Sequence, residues 1–91
     1  MPEVSVITAT YNSAKVIERN IRSVGAQSLK PVEHIIVDDG SIDDTVSIVL
    51  ELQREFPYLQ IIRQRNSGAG VARNAGIEVA RARYVAFLDS D

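Results

Sequence analysis

The sequence contains no cysteine and no tryptophan, and only a single methionine and a single histidine. Without cysteine there is neither a disulfide nor a thiolate metal site, which fits a reducing compartment. No apolar run approaches the roughly 20 residues that a bilayer-spanning helix needs, and the start, Met1-Pro2-Glu3-Val4, lacks the pattern of a secretory leader. Charge of one sign is not in excess either. Lys and Arg total 10 against 12 Asp and Glu, a formal net charge of -2 over 91 residues, so nucleic acid is not an expected partner. No Gly-Lys-Ser/Thr loop and no glycine fingerprint after the first strand are found, which disfavours an ATPase and a dinucleotide-dependent dehydrogenase. The expectation is one small soluble domain, cytoplasmic, able to work at the inner face of a membrane but with no transmembrane segment in this piece.

What is present centres on Glu33 to Thr45. The β-branched run Ile35-Ile36-Val37 suits a strand buried on both faces, as in a parallel sheet covered by helices. Asp38 and Asp39 follow where that strand runs out. Gly40 permits a backbone conformation that a Cβ resists, and Ser41 or Asp43 can accept from the free amides of a following helix. Turn and cap chemistry alone accounts for such a stretch, unless other strand ends are similarly loaded.

Three other strand ends are. Val4 to Thr8 predicts a first strand, ending in Ala9-Thr10-Tyr11-Asn12-Ser13, where Asn12 or Ser13 can cap the next helix. Ile17, Ile21 and Val24 fall at helical spacing, with Lys15, Glu18, Arg19 and Arg22 facing away and Glu18 pairing with Arg22. A second helix is predicted from Asp44 to Phe56, stopped by Pro57, and a third strand over Leu59 to Ile62. Asn66-Ser67-Gly68-Ala69-Gly70 leads into a third helix whose small residues Ala72, Ala75, Gly76, Val79 and Ala80 let it lie close against a sheet. Tyr84 to Leu88 is the fourth strand, followed by Asp89-Ser90-Asp91.

The predicted fold class is therefore α/β, a Rossmann-like parallel sheet with the alternation β-α-β-α-β-α-β. All strand ends then share one rim, joined by Arg73 near the amino end of the third helix. There Asp89 and Asp91 offer hard oxygen ligands to Mn2+ or Mg2+ on a diphosphate, and Arg73 faces the same charge. Tyr11 can stack on a base, or serve as a partly buried core tyrosine, and Asp39 can accept from a ring N–H. His34 is expected to be structural.

Four segments carry a resemblance: Ser5 to Asn12 (Ser-Val-Ile-Thr-Ala-Thr-Tyr-Asn), Ile35 to Thr45, Asn66 to Gly76, and Tyr84 to Asp91 (Tyr-Val-Ala-Phe-Leu-Asp-Ser-Asp). In this order they resemble the amino-terminal nucleotide-binding part of a family 2 glycosyltransferase of the GT-A fold, across residues 1–91. The resemblance implies a nucleotide-diphosphate sugar donor, commonly a UDP-sugar, and an acceptor such as a growing polysaccharide or glycolipid. It also implies that Thr10 and Tyr11 line the base pocket, with Asn12 beside them in the nucleotide-binding set, and that Asp39 contacts the base. Arg73 lies near the nucleotide, Asp89 approaches the ribose and Asp91 holds the metal. Ala9 and Ile42 stand where the family often has proline and threonine. The general base of the family is expected beyond Asp91, so the chain reads as a fragment truncated at its carboxyl end, and inactive as given. Two other readings stand beside this one. A phosphoacceptor receiver domain is disfavoured because the acidic pair follows the second strand rather than the first and no lysine follows Lys30. A non-catalytic module using the rim to bind an anion remains open.

Overall fold

The computed structural model describes residues 3–90. Strands and helices alternate as β1 (Val4–Thr10), α1 (Ile17–Gly25), β2 (Glu33–Asp38), α2 (Thr45–Leu52), β3 (Leu59–Arg63), α3 (Ala69–Val79) and β4 (Tyr84–Phe87). Every pairing is parallel and the strand order is β3-β2-β1-β4. The α/β alternation and the parallel sheet are those expected from the sequence.

Because side chains alternate along a strand, β2 feeds two cores. Ile36 joins Ile17, Ile21, Val49, Leu52 and Leu59 under α1 and α2. Ile35 and Val37 join Ile7 and Ala72 under α3, on the opposite face. Gly76 fits this second layer for a packing reason, since a Cβ there would lie 2.6 Å from Ile7 Cγ2. Val79, expected to pack with it, is instead 46% exposed, because it ends the helix beyond the sheet's cover.

Burial of β2 is complete and includes Glu33 and His34, which the apolar pattern does not announce. Each has at least one partner, although the His34 Nδ1 has none among the described residues. The His34 Nε2 lies 2.9 Å from Thr8 Oγ1. Glu33 accepts from Ser5 Oγ at 2.6 Å, Gln60 Nε2 at 3.0 Å and the Arg81 backbone N–H at 2.6 Å, tying the amino ends of β1, β2 and β3 to the turn before β4.

Two local expectations need correction. The second helix stops at Leu52 rather than Phe56; Arg54 and Glu55 donate to Glu51 and Leu52 at 3.3 and 3.0 Å, a tightened turn. Pro57 disfavours helical geometry in the residue before it, so the last turn cannot continue regularly. Neither Asn12 nor Ser13 caps α1 with its side chain: its N-cap is Val16, and the Ser13 carbonyl accepts the amides of Val16 and Ile17 at 3.0 and 2.9 Å. Every residue of β4 is exposed, so this strand is an edge, with Tyr84 and Phe87 about half open. Among the described residues no helix is long and apolar enough to cross a membrane.

Candidate nucleotide-binding site

The strand order fixes where a ligand can sit. From β1 the chain steps outward to β2 and β3, then returns past them to place β4 on the other side of β1. The helices on either side of that reversal pack on opposite faces, and the gap between them opens at the carboxyl ends of β1 and β4, the usual ligand position in open α/β sheets. Thr10, Tyr11 and Asn12 leave β1 on this rim, and Asp89 and Ser90 leave β4 on it.

Next to the gap is a pocket of about 290 Å³ bounded by Thr10, Tyr11, Asp39, Asn66, Gly68 and Ala69. Three residues singled out from the sequence thus share one wall. Tyr11 is 50% exposed, which removes the core-tyrosine alternative and leaves its ring free to stack. Thr10 is almost fully buried, and its Oγ1 has no partner among the described residues.

Asp39 is the hub of the pocket floor. Its Oδ1 accepts from Gln64 Nε2 and from the Ser67 backbone N–H, both at 2.8 Å, and its Oδ2 from the Gly68 N–H at 3.0 Å and Asn66 Nδ2 at 3.3 Å. These donors, Gln64 first and the two backbone amides with it, hold the carboxyl below the usual aspartate value despite its burial. Gly40 makes the approach possible: its φ is +89°, and a Cβ there would lie 3.0 Å from the Asn66 nitrogen. Sequence reading placed Asp39 at the rim but missed that Gln64 and Asn66 organise it; both lie in the polar tail of β3, where no periodic signal marks them.

Asp38, by contrast, does not reach the pocket. It turns to the other face, fully buried, accepting from Ser41 Oγ at 2.5 Å and the Ser41 N–H at 3.0 Å, with Arg63 Nε 3.5 Å away. Asn12 stitches loops together: its Oδ1 accepts the Ile42 N–H at 2.9 Å and its own N–H donates to Ser41 Oγ at 2.8 Å, with φ at 48°. Asp43 does the same from the far side, accepting from Thr45 Oγ1 at 2.5 Å and the Ala14 N–H at 3.2 Å.

At the other wall, Arg73 Nη2 lies 3.7 Å from Asp89 Oδ1. Arg73 is five residues beyond Gly68, about 7.5 Å along α3 at the helical rise, so the first turns of α3 connect Asp39 to Asp89. Ser90 is buried, and its Oγ lies 3.0 Å from Ser13 Oγ. Asp91, the expected metal ligand, lies outside the described residues.

Does this rim suit a divalent cation? Among the described residues no three His, Asp or Glu side chains gather into a cage. A cation carried on a diphosphate needs only one or two protein carboxylates, the rest of its shell being water and phosphate oxygens. The Asp89 side chain, 77% exposed beside a backbone fixed by buried Ser90, places one accessible carboxylate on this rim. The donor set therefore fits a phosphate-borne Mg2+ or Mn2+ better than an all-protein site.

Comparison with known proteins agrees with this geometry. The model of glycosyl transferase family 2 matches residues 5–91. The chain is 47% identical over 91 residues to the putative teichuronic acid biosynthesis glycosyltransferase TuaG of Bacillus subtilis, covering 99% of this chain and 36% of that protein. Among solved structures, S. aureus TarS 1-349 in complex with UDP superposes with a TM-score of 0.88 at 34% identity, over 98% of this chain and 27% of that one. The mannosyltransferase PcManGT from Pyrobaculum calidifontis, in complex with GDP-Man and Mn2+, gives 0.91 at 30% identity, over 99% and 28%. The chain thus spans about a quarter to a third of the length of these relatives. With that match running over nearly all of its residues, and with GT-A glycosyltransferases as its structural neighbours, the chain belongs to glycosyl transferase family 2.

Proposed function

We propose that this chain grips the nucleotide and metal-bound diphosphate of a sugar donor, for a glycosyltransferase that passes the sugar to a growing polysaccharide or glycolipid. The observation that carries the reading is the shared pocket of Thr10, Tyr11 and Asp39 beside the β1/β4 gap, with α3 running from it to Asp89. Tyr11 stacks on the base. Asp39 accepts a ring N–H by displacing its longest contact, the 3.3 Å one from Asn66 Nδ2. Arg73 exchanges its loose ion pair with Asp89 for a diphosphate oxygen, freeing Asp89 for the ribose. Asp91 would hold Mn2+ or Mg2+, which when bound neutralises the charge that develops on the departing diphosphate.

UDP is the donor nucleotide we favour. TarS, the more similar of the two ligand-bound neighbours in sequence, is complexed with UDP, whereas PcManGT is complexed with GDP-Man. The place of TuaG, a putative glycosyltransferase of teichuronic acid biosynthesis, supports a polymer acceptor. Titration with UDP in the presence and absence of Mn2+ tests the proposal: metal-enhanced binding is expected, and its loss in both Asp39→Ala and Asp91→Ala. Binding left intact in both variants contradicts it.

A further inference from the structure

We infer that Gln64, the first residue after β3, is a positioning residue that sets which base the pocket accepts: by holding one oxygen of Asp39 it leaves that carboxylate room for a single ring N–H, which suits uracil and not guanine. The inference rests on the nucleotide-sugar reading above and deepens it.

An ionised carboxylate has roughly four positions at which it can accept a hydrogen bond. On Asp39 three are taken by close donors: Gln64 Nε2 and the Ser67 N–H on Oδ1, both at 2.8 Å, and the Gly68 N–H on Oδ2 at 3.0 Å. The fourth contact is loose. Asn66 Nδ2 stands 3.3 Å from Oδ2 and has a shorter bond, 2.9 Å, to the Asp39 carbonyl, so it can leave the carboxylate and keep an acceptor. Of the three close donors two are backbone amides, and only Gln64 donates from a side chain that substitution can remove. It is also the chief reason that the carboxyl titrates below the usual aspartate value, which keeps Asp39 an acceptor and not a donor.

Gln64 is itself held from behind. Its N–H donates to the Asp38 carbonyl at 2.9 Å, carrying the β2–β3 ladder one step past the Asp38–Arg63 pair. The side chain therefore starts from a fixed strand end and meets the residue that follows Asp38. Gln64 is half-buried and is not among the residues bounding the pocket, so it acts on a ligand through Asp39.

Bases differ in what they ask of such a carboxylate. Uracil presents one ring N–H, at N3, between two carbonyls, and one free accepting position satisfies it. Guanine presents two donors side by side, the N1–H and the N2 amino group, and pairs with a carboxylate that has a free position on each oxygen. With Oδ1 full, Asp39 meets the first demand and leaves one guanine donor without an acceptor, which is costly in a closed pocket. Removing the Gln64 amide frees a position on Oδ1 and relaxes the choice.

The experiment titrates the intact protein and Gln64→Met with UDP and with GDP, both in Mn2+, by calorimetry. Diphosphate and metal are common to the two ligands, so the ratio of their affinities reads the base. Met keeps the length of the side chain and donates nothing. We expect the intact protein to bind UDP more tightly than GDP by on the order of 10-fold or more, and Gln64→Met to reduce that ratio by on the order of 10-fold. A ratio unchanged in the folded variant overturns the inference, including the case in which both affinities fall together, which marks a purely structural role. Should Gln64→Met not fold, the side-chain amide resonances of the intact protein decide, followed during titration with UDP and Mg2+. A shift of the Asn66 amide with that of Gln64 left in place upholds the inference, and release of the Gln64 amide overturns it. Equal affinity of the intact protein for UDP and GDP overturns the inference and leaves the nucleotide-sugar reading standing. If the intact protein binds neither, that reading itself fails and takes this inference with it.

Discussion

The Asp39 carboxylate accepts the Gly68 backbone N–H at 3.0 Å, so the residue that follows β2 also holds the start of α3. One side chain thereby joins the wall of the pocket to the helix whose amino end faces it. Pocket and fold cannot be separated at this position.

Asp39→Ala is accordingly expected to do two things. It abolishes measurable UDP binding, and it leaves the Ser67 and Gly68 amides and Gln64 without their acceptor, which costs about 1–3 kcal/mol. Urea denaturation followed by circular dichroism measures the second effect. In the wild type the carboxyl titrates lower when folded than when unfolded, because of Gln64 and the loop amides. Its contribution is therefore full above the ordinary value of 3.8 and is lost as pH falls through the lower folded value. Asp39→Ala should lack that acid-side loss.

His34 gives a second pH dependence, at higher pH. Burial pushes its pKa from 6.5 down to about 4, so the folded protein keeps the imidazole neutral while the unfolded chain takes a proton. Stability should therefore decline as pH falls from 6.5 to about 4, by on the order of 3 kcal/mol, and level off below. In His34→Gln the decline across that range should shrink to the part that Glu33 adds as pH approaches its ordinary value of 4.5. An unchanged slope would show that another group is responsible.

Tyr11→Ala separates binding from folding. The ring is half exposed and makes no part of either core, so the melting temperature should move little. Loss of a stacking platform costs about 1–3 kcal/mol of nucleotide binding. Calorimetric titration with UDP reads it directly.

Gly76 and Gly70 lie in the same helix and should respond oppositely to alanine. At Gly76 the new Cβ would press on Ile7 Cγ2, so the gain in helix propensity is outweighed and stability falls by about 1–3 kcal/mol. At Gly70 nothing lies within 4 Å, and Gly70→Ala should stabilise by about 0.4–1 kcal/mol. Paired thermal melts check the contrast.

These positions also show what the sequence makes legible. Strand ends and helix stripes stand out because burial imposes a period: Ile17, Ile21 and Val24 are buried where spacing puts them, and the three β-branched residues of β2 are buried on both faces. Asp39 and Tyr11 could be placed on the rim because a parallel sheet carries every strand end to one edge. Pairwise polar contacts have no such period. Glu33 needs Ser5 and Arg81 from distant segments, Asn20 needs Asp89, and Asn12 reaches to Ile42 instead of capping its own helix. Each of these partners is chosen by tertiary position, which the local pattern does not encode.

The central claim is that the ends of β1, β2 and β4 and the start of α3 face one ligand. Binding UDP with Mn2+ to isotopically labelled protein and recording paramagnetic broadening of the backbone amides tests it most directly. The account predicts the strongest broadening at Tyr11, Ser67, Gly68, Asp89 and Ser90, with Glu33 and Arg81 at the opposite edge of the sheet retaining sharp signals. Broadening centred on Glu33 and Arg81, or divided between Gly68 and a site remote from Asp89, would contradict it.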